Sequence, residues 1–573
     1  MKNRVRTLLI AGIAVLTLLP GTASAAPYTE RISVTSNELE ATGGDSLDAA
    51  ISTNGRFVAF SSAATNLVAG DTNAKIDIFV RDRLNGTTER VSIDSGEAQV
   101  TGGDSLNPSI NEDGRFVAFS SMATNLVTGD TNAGSDVFVR DRMLGTTERV
   151  SVDSSETQAG AGDGFEQSAL SEDGRFVAFH SYADGLTPTD NAGNQDIFVR
   201  DRTLGTTEQV NLTSAGDPAP NGFHSHPAIS ADGNLVVFFS ASTGLVPEDT
   251  SFVSDIYVRN RGAGTTERVS VNSNEEEAIY TCAMPPCQLA QSYGPPAISG
   301  DGRYVAFSSD GDNLAPSDTN PDADLFLRDL QLGTTERVNL NDAEEQTLGG
   351  GGSEPSISYH GRFVAFETPA YNLVPLPGDN NGASDIFVRD RLLGTVERVS
   401  VTTAGAQVAL GSHAPSISGD GGIVVFDSDA VNLVGDDTNG NFDVFVHAYD
   451  IDYDGVSDFS DNCPTVANTD GQGDDQDGDI AGDACDAAGT GNVDCNQAIN
   501  AIDALKVLRY SASLSVVQSE PCTDIGDPIG SGFDQGNVDC SGGNPNAIDA
   551  LKILRAVAQL TVSSSCVDPV IGP

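Results

Sequence analysis

The string DGRFVAF, or a near variant of it, occurs seven times, with its glycine at Gly55, Gly114, Gly174, Gly233, Gly302, Gly361 and Gly421. The intervals are 59, 60, 59, 69, 59 and 60 residues. A period this regular marks a repeat architecture, in which each unit buries its apolar surface against the next.

Each unit resolves into four short strands. In the second, NPSI (107–110) is an extended piece, NEDG (111–114) a turn and RFVAFSS (115–121) a second strand. The polar loop TNLVTGDTNAG leads to DVFVRDR (136–142), then to an LGTT turn (144–147) and to ERVSV (148–152) as the fourth strand. Phe116, Val117, Ala118 and Phe119 make the second strand apolar on both faces, so both faces need cover. Radially packed four-stranded sheets supply it. The expected fold is mainly β, a seven-bladed β-propeller over 26–448. The seventh unit has GGIVVF (421–426) and FDVFVH (442–447) but then runs into AYDIDYDG without a fourth strand. TERISV (29–34), kin to TERVSI (88–93) and TERVSV (147–152), stands alone at the start. It is predicted to complete the last blade and to remove the open edge of the array.

The pattern D-G-R-F-V-A-F-S-S, N-L-V, D-x-F-V-R-D-R, G-T-T-E-R-V-S resembles the TolB-like (WD-like) propeller repeats of bacterial exported proteins, across roughly 27–448. The resemblance implies the fold and says little of activity.

Ahead of the repeats, Lys2, Arg4 and Arg6 precede an apolar run from Leu8 to Leu19, then Pro20 and A-S-A ending at Ala25. This is the pattern of a secretory signal peptide over 1–25, so the mature chain is expected to be extracellular or attached to the cell surface. A net charge of −52 excludes sequence-independent nucleic-acid binding, because phosphates would be repelled. It leaves solvated surface and metal ligation as readings.

Strand alternation puts the short xxDG and LGTT turns on one face and the long, variable loops on the other, where binding usually resides. The insertion at 272–296 accounts for the 69-residue interval, with Cys282 and Cys287 expected to staple it. Loops before the third strands repeat an Asp/Asn pattern: Asp71, Asn73, Asp77; Asp130, Asn132, Asp136; Asp318, Asn320, Asp324. Such oxygens suit calcium, but they also suit tight turns, in which Asp and Asn accept backbone amides, and the turn is the favoured reading. No G-x-S-x-G, H-E-x-x-H or P-loop occurs. His224 and His226 are placed to form a pair on one strand face. No catalytic residue is assigned, and the expectation is a protein that is not an enzyme.

The tail is built differently, with six of the eight cysteines after residue 460. Residues 449–487 resemble a thrombospondin type 3 repeat through D-x-D-x-D-G-x-x-D-x-x-D-N-C-P. The resemblance implies Ca2+ on Asp450, Asp452, Asp454, Asp458 and Asp461, and a second ion on Asp475, Asp477, Asp479 and Asp483. Residues 488–573 duplicate a loop and helix, GNVDCNQAINAIDALKVLR (491–509) and GNVDCSGGNPNAIDALKILR (536–555). This looks like a type I dockerin, which implies ligands Asn492, Asp494, Asn496, Asn500 and Asp503 in the first loop. In the second they are Asn537, Asp539, Ser541, Asn546 and Asp549. Asparagine replaces aspartate at both first positions, and Gln497 replaces the turn glycine, which weakens binding. Disulfides are expected at Cys463–Cys485, Cys495–Cys522 and Cys540–Cys566. The resemblance also implies a cohesin-like protein partner facing Ala501–Ile502 and Ala547–Ile548.

The expected function is a secreted, non-catalytic binding or attachment protein with a propeller display face and a calcium-dependent docking module. The alternative is an extracellular polysaccharide hydrolase subunit recruited by the same module. An acidic pair with displaced titration at one mouth of the ring separates the two.

Overall fold

A computed structural model describes residues 27–449, apart from 161–166, 191–192, 220–221, 248, 250–252, 280–288, 321 and 376–378. The leader, all eight cysteines and every tail ligand from Asp450 to Asp549 lie outside the described residues. Among the described residues no helix is long and apolar enough to cross a membrane.

Among the described residues, twenty-eight strands form seven antiparallel sheets of four. Six are consecutive in sequence; blade 1, for example, pairs Ser46–Ile51, Phe57–Ser62, Asp77–Asp82 and Thr87–Arg90 in order. The seventh joins Ser412–Ile417, Ile423–Ser428 and Asp443–Ala448 to Tyr28–Arg31, in register from Tyr28↔Ala448 to Arg31↔Phe445. The orphan N-terminal strand closes the ring. Thr29 Oγ1 donates to Val401 O at 2.6 Å, tying the closing strand to blade 6 as well.

Each second strand is apolar on both faces because each face meets a different neighbour. Val58 and Phe60 pack with Val425, Val444 and Val446 of blade 7, while Ala59 packs with Val117 and Phe119 of blade 2. Seven such clusters fill the seven interfaces. Burying one of these phenylalanines contributes roughly 1.5–3 kcal/mol.

The repeated polar motif wires blade to blade. Gly114 has φ 71°, and a Cβ there would lie 2.2 Å from the Phe57 ring, so only glycine fits this turn. Arg115 clasps Asp141 at 2.7 and 3.1 Å. The Phe116 ring sits between the guanidinium groups of Arg115 (4.6 Å) and Arg202 of the next blade (4.3 Å), and Arg202 also donates to Glu148 at 2.5 Å.

Two strands of blade 2 depart from expectation by two residues or more at an end. The fourth strand of blade 2 is Thr146–Arg149, beginning within the predicted turn and ending before Val150. Thr147 Oγ1 donates to Ile93 O in the preceding blade at 2.5 Å, which holds that threonine extended, and Val152 N then folds back on Val150 O at 2.9 Å. The first strand starts two residues earlier than 107, at Ser105, whose amide donates to Ile76 O of blade 1 at 2.8 Å.

Candidate functional site

The first strands of successive blades touch one another around a closed circle and so line the central channel. They carry a bulge. Register shifts fall between Leu47 and Ala50, Leu106 and Ser109, Ser225 and Ala228, Ser353 and Ser356, and His413 and Ser416. The bulged residue is left-handed: φ is 56° at Asp48, 53° at Asn107 and His226, 49° at Glu354 and 50° at Ala414. Pro108, Pro227, Pro355 and Pro415 follow four of these residues. A proline has no N–H for the ladder, so the strand bulges and re-aims the side chain before it.

The second strand adds one position at the same level, directly after F-V-A-F. It is Ser61, Ser120 and Ser308 in blades 1, 2 and 5, but His180, Phe239, Glu367 and Asp427 in blades 3, 4, 6 and 7. Glu367 pairs with Ser353 and Asp427 with His413. Blades 6, 7 and 1 therefore gather Glu354, Glu367, His413, Asp427 and Asp48. His413 Nδ1 lies 3.0 Å from Glu367 Oε1, bridging two blades, and Ser61 Oγ donates to Asp48 Oδ2 at 3.1 Å. Asp427 is 5% exposed, and its Oδ1 has no hydrogen-bond partner.

Burial dominates the electrostatics of this sector. It pushes the Asp427 carboxyl up to about 7, the Asp48 charge pushes the same way and His413 opposes it. Asp48 is raised by burial against its serine bond, and Glu354 is raised by burial and by the charge of Glu367. The bond to Glu367 raises His413.

Across the axis lies the opposite arrangement. In a ring of seven, the junction of blades 3 and 4 faces blade 7, and there His180 and His226 stand at the same level. Burial pushes His180 down to about 3, with the nearby His226 adding to the effect, and burial lowers His226 too. The expected His224–His226 pair does not form. His224 lies edge-on to Phe238 and His226 to Phe239, consecutive residues on opposite faces of the sheet, because the bulge breaks the strand's alternation.

Below this level the channel narrows. Ile51, Ile110, Ile229, Ile298, Ile357 and Ile417, with Leu170 in blade 3, line a cavity of about 150 Å³. The turns beneath are joined in a circle by backbone bonds, such as Glu172 N to Ala231 O (3.1 Å) and Gly419 N to Thr53 O (2.8 Å). Another hollow, of about 840 Å³, lies elsewhere, beside Val374, Asn381 and Arg398 at blade 6. Its arginine is already paired with Asp385 at 3.4 Å.

The Asp/Asn loops resolve as turns. Asn73 Nδ2 donates to Asp77 Oδ2 at 2.8 Å, Asn73 Oδ1 accepts from Lys75 N at 3.1 Å, and Arg90 lies against both Asp71 and Asp77. Two acidic triads bring ligand atoms within 4.8 Å, Glu40–Asp437–Asp443 and Asp249–Asp255–Glu277. Each already holds a cation of the protein's own, with Arg31 at 2.8 Å from Glu40 and Arg268 at 2.7 Å from Glu277.

The channel residues escaped sequence reading because they are scattered from Asp48 to Asp427. The available signal was a single column of the repeat: where scaffold positions hold constant, a serine becomes His, Phe, Glu or Asp.

No family model and no curated protein matches the chain. Among solved structures it is similar to an oligogalacturonate lyase in complex with manganese, with 12% identity, 71% of this chain and 89% of that chain covered, and a TM-score of 0.43. An oligogalacturonate lyase from Vibrio parahaemolyticus is 11% identical over 75% of this chain and 98% of that one, TM-score 0.43. TolB from Acinetobacter baumannii is 14% identical over 60% of this chain and 63% of that one, TM-score 0.33. The propeller rests on the chain's own sheet pairing.

Proposed function

We propose that the chain is an exported binding protein whose propeller takes an organic cation into the channel mouth, and whose acidic tail docks it to a protein partner through calcium-loaded loops. One observation supports the channel part above others: Glu367 and Asp427 replace the serine of the repeat beside the bulged Glu354 and Asp48. Four carboxylates face one histidine, and Asp427 is desolvated with an unpartnered oxygen. Among the described residues, no three ligand atoms of this sector come within 4.8 Å of one another. That spread across three blades suits an extended amine better than a bare metal ion, which needs its ligands converged. Binding an amine favours the ionised carboxylates, so affinity rises with pH through about 7.

The test is calorimetric titration of the full chain with 1,4-diaminobutane at pH 8, beside Asp427→Asn and Asp48→Asn. Loss of about tenfold or more in either variant supports the site; three equal isotherms dismiss it. For the tail, the resemblances to thrombospondin type 3 repeats and dockerins support calcium-dependent capture of a cohesin-like protein. Pull-down of envelope proteins by the full chain with calcium, but not with chelator, is the expected result.

A second reading has its own support. Asp427 holds a proton near neutrality beside Asp48, a division suited to a general acid and its partner in glycoside hydrolysis. Release of reducing ends from a polysaccharide panel, abolished in Asp427→Asn, is its expected signature, and no release at any pH removes it.

A further inference from the structure

Outside the channel, a second set of positions repeats around the disc. In blade 1 Arg90 Nη1 lies 3.1 Å from Asp71 Oδ1 and 3.3 Å from Asp77 Oδ2. Arg149 stands 3.5 and 3.2 Å from Asp130 and Asp136, and Arg337 stands 3.5 and 2.9 Å from Asp318 and Asp324. Arg31, Arg268 and Arg398 occupy the same place in blades 7, 4 and 6. Six blades thus supply their own cation to the carboxylates before the third strand.

Blade 3 keeps the acids and loses the cation. Gln209 pairs with Phe198 as Arg90 pairs with Phe79, so it stands in the arginine's register. Its side chain is neutral and two bonds shorter. Gln209 is 4% exposed, and neither its Oε1 nor its Nε2 has a hydrogen-bond partner. Leaving such an amide unsatisfied is costly, an unusual loss at a position that arginine fills elsewhere. Pro218 adds a second departure, standing where Gln99, Gln158, Gln346 and Gln407 offer a side-chain amide.

The two carboxylates are held in position. Asp190 Oδ2 accepts from Gly185 N at 2.7 Å and Leu186 N at 3.2 Å. Asp196 is fully buried, and its Oδ1 accepts from Asn211 Nδ2 at 2.5 Å. They feel one another: burial chiefly, and the charge of Asp196 after it, push Asp190 up to about 6.

We infer that blade 3 binds a hard divalent cation of the calcium class, held by the carboxylates of Asp190 and Asp196 and the amide oxygen of Gln209, in the role that arginine fills in the other six blades. Two negative charges match a divalent ion, and the donors are all oxygens, as a hard cation prefers. The site is independent of the tail loops and of the channel.

The experiment counts calcium ions on the full chain by calorimetric titration and equilibrium dialysis, for the parent, Gln209→Arg and Asp190→Asn. All three share the same tail, so its sites cancel in the comparison. The expected result is one ion fewer per chain in both variants, with a melting temperature in chelator that is higher for Gln209→Arg than for the parent. Equal stoichiometry in the parent and either correctly folded variant overturns the inference, and Asp190→Asn decides alone if Gln209→Arg fails to fold.

Discussion

Blades 2 and 7 share the stacked phenylalanine pair and the turn glycine of the repeat and differ where they face the axis. Phe119 stacks on Phe138 at 6.0 Å, and Phe426 stacks on Phe445 at 6.1 Å. Gly114 and Gly421 are both left-handed in the same turn. At the channel, blade 2 offers Leu106, Asn107 and Ser120, whereas blade 7 offers His413, Ala414 and Asp427. The difference teaches where to look in a repeat protein. The recurring charged motif looks like chemistry but is consumed by the scaffold, as Arg115–Asp141 and Arg202–Glu148 are. The proposed channel site is built from the exceptions.

The separation of scaffold from channel breaks most completely if the ring is opened. Deleting residues 27–34 leaves the strand Asp443–Ala448 as an exposed edge, and an unpaired apolar edge is a template for aggregation. The expected outcome is loss of monomer on size-exclusion chromatography. A smaller insult to the scaffold is Phe119→Ala, which empties a fully buried position between blades 1 and 2 and should cost about 3–5 kcal/mol in denaturant unfolding. Binding of 1,4-diaminobutane under native conditions should stay within about twofold of the parent, because the lost ring is buried between blades 1 and 2 rather than at the channel. A large change in that affinity merges the two sets of positions.

Much of the scaffold was legible. Strand number, the double-sided second strand and the N-terminal closing strand all follow from spacing and from the apolar pattern, because these features are repeated seven times and one unit visibly lacks a piece. The channel was not legible, for a local reason. Alternation predicts that His224 and His226 share a face, but the left-handed bulge at His226 inserts a residue and turns the two rings apart. The same bulge sets Asp48 and Glu354 in the channel, and no apolar periodicity reports it. The blade 3 station also needed the structure, since Gln209 is an ordinary residue until six arginines are seen in its register. The tail calcium loops and disulfides, by contrast, rest on sequence pattern, outside the described residues.

The next effect sharpens the contrast inside the channel. Folded Asp427 keeps its proton up to about 7, whereas an unfolded aspartate releases it near 3.8. Its contribution to stability is therefore complete below the unfolded value and is lost as pH rises through about 7. Asp427→Asn removes that loss. Relative to the parent, the variant should gain on the order of 4 kcal/mol between pH 4 and pH 8, read from urea midpoints across the range. A flat difference would mean that Asp427 ionises freely in the folded chain.

The smallest effect lies across the axis and carries the opposite sign. Burial holds folded His180 neutral down to about 3, while an unfolded histidine protonates near 6.5. The stability this group contributes is present above the unfolded value and is lost as pH falls below it, because the unfolded chain takes up a proton that the folded chain refuses. His180→Ser restores the residue found in blades 1, 2 and 5. Between pH 7 and 5.5 the parent should lose about 1 kcal/mol more than the variant. Only the slopes are compared, so the fixed cost of removing a packed imidazole cancels. Matching slopes would place His180 in contact with water or with a carboxylate.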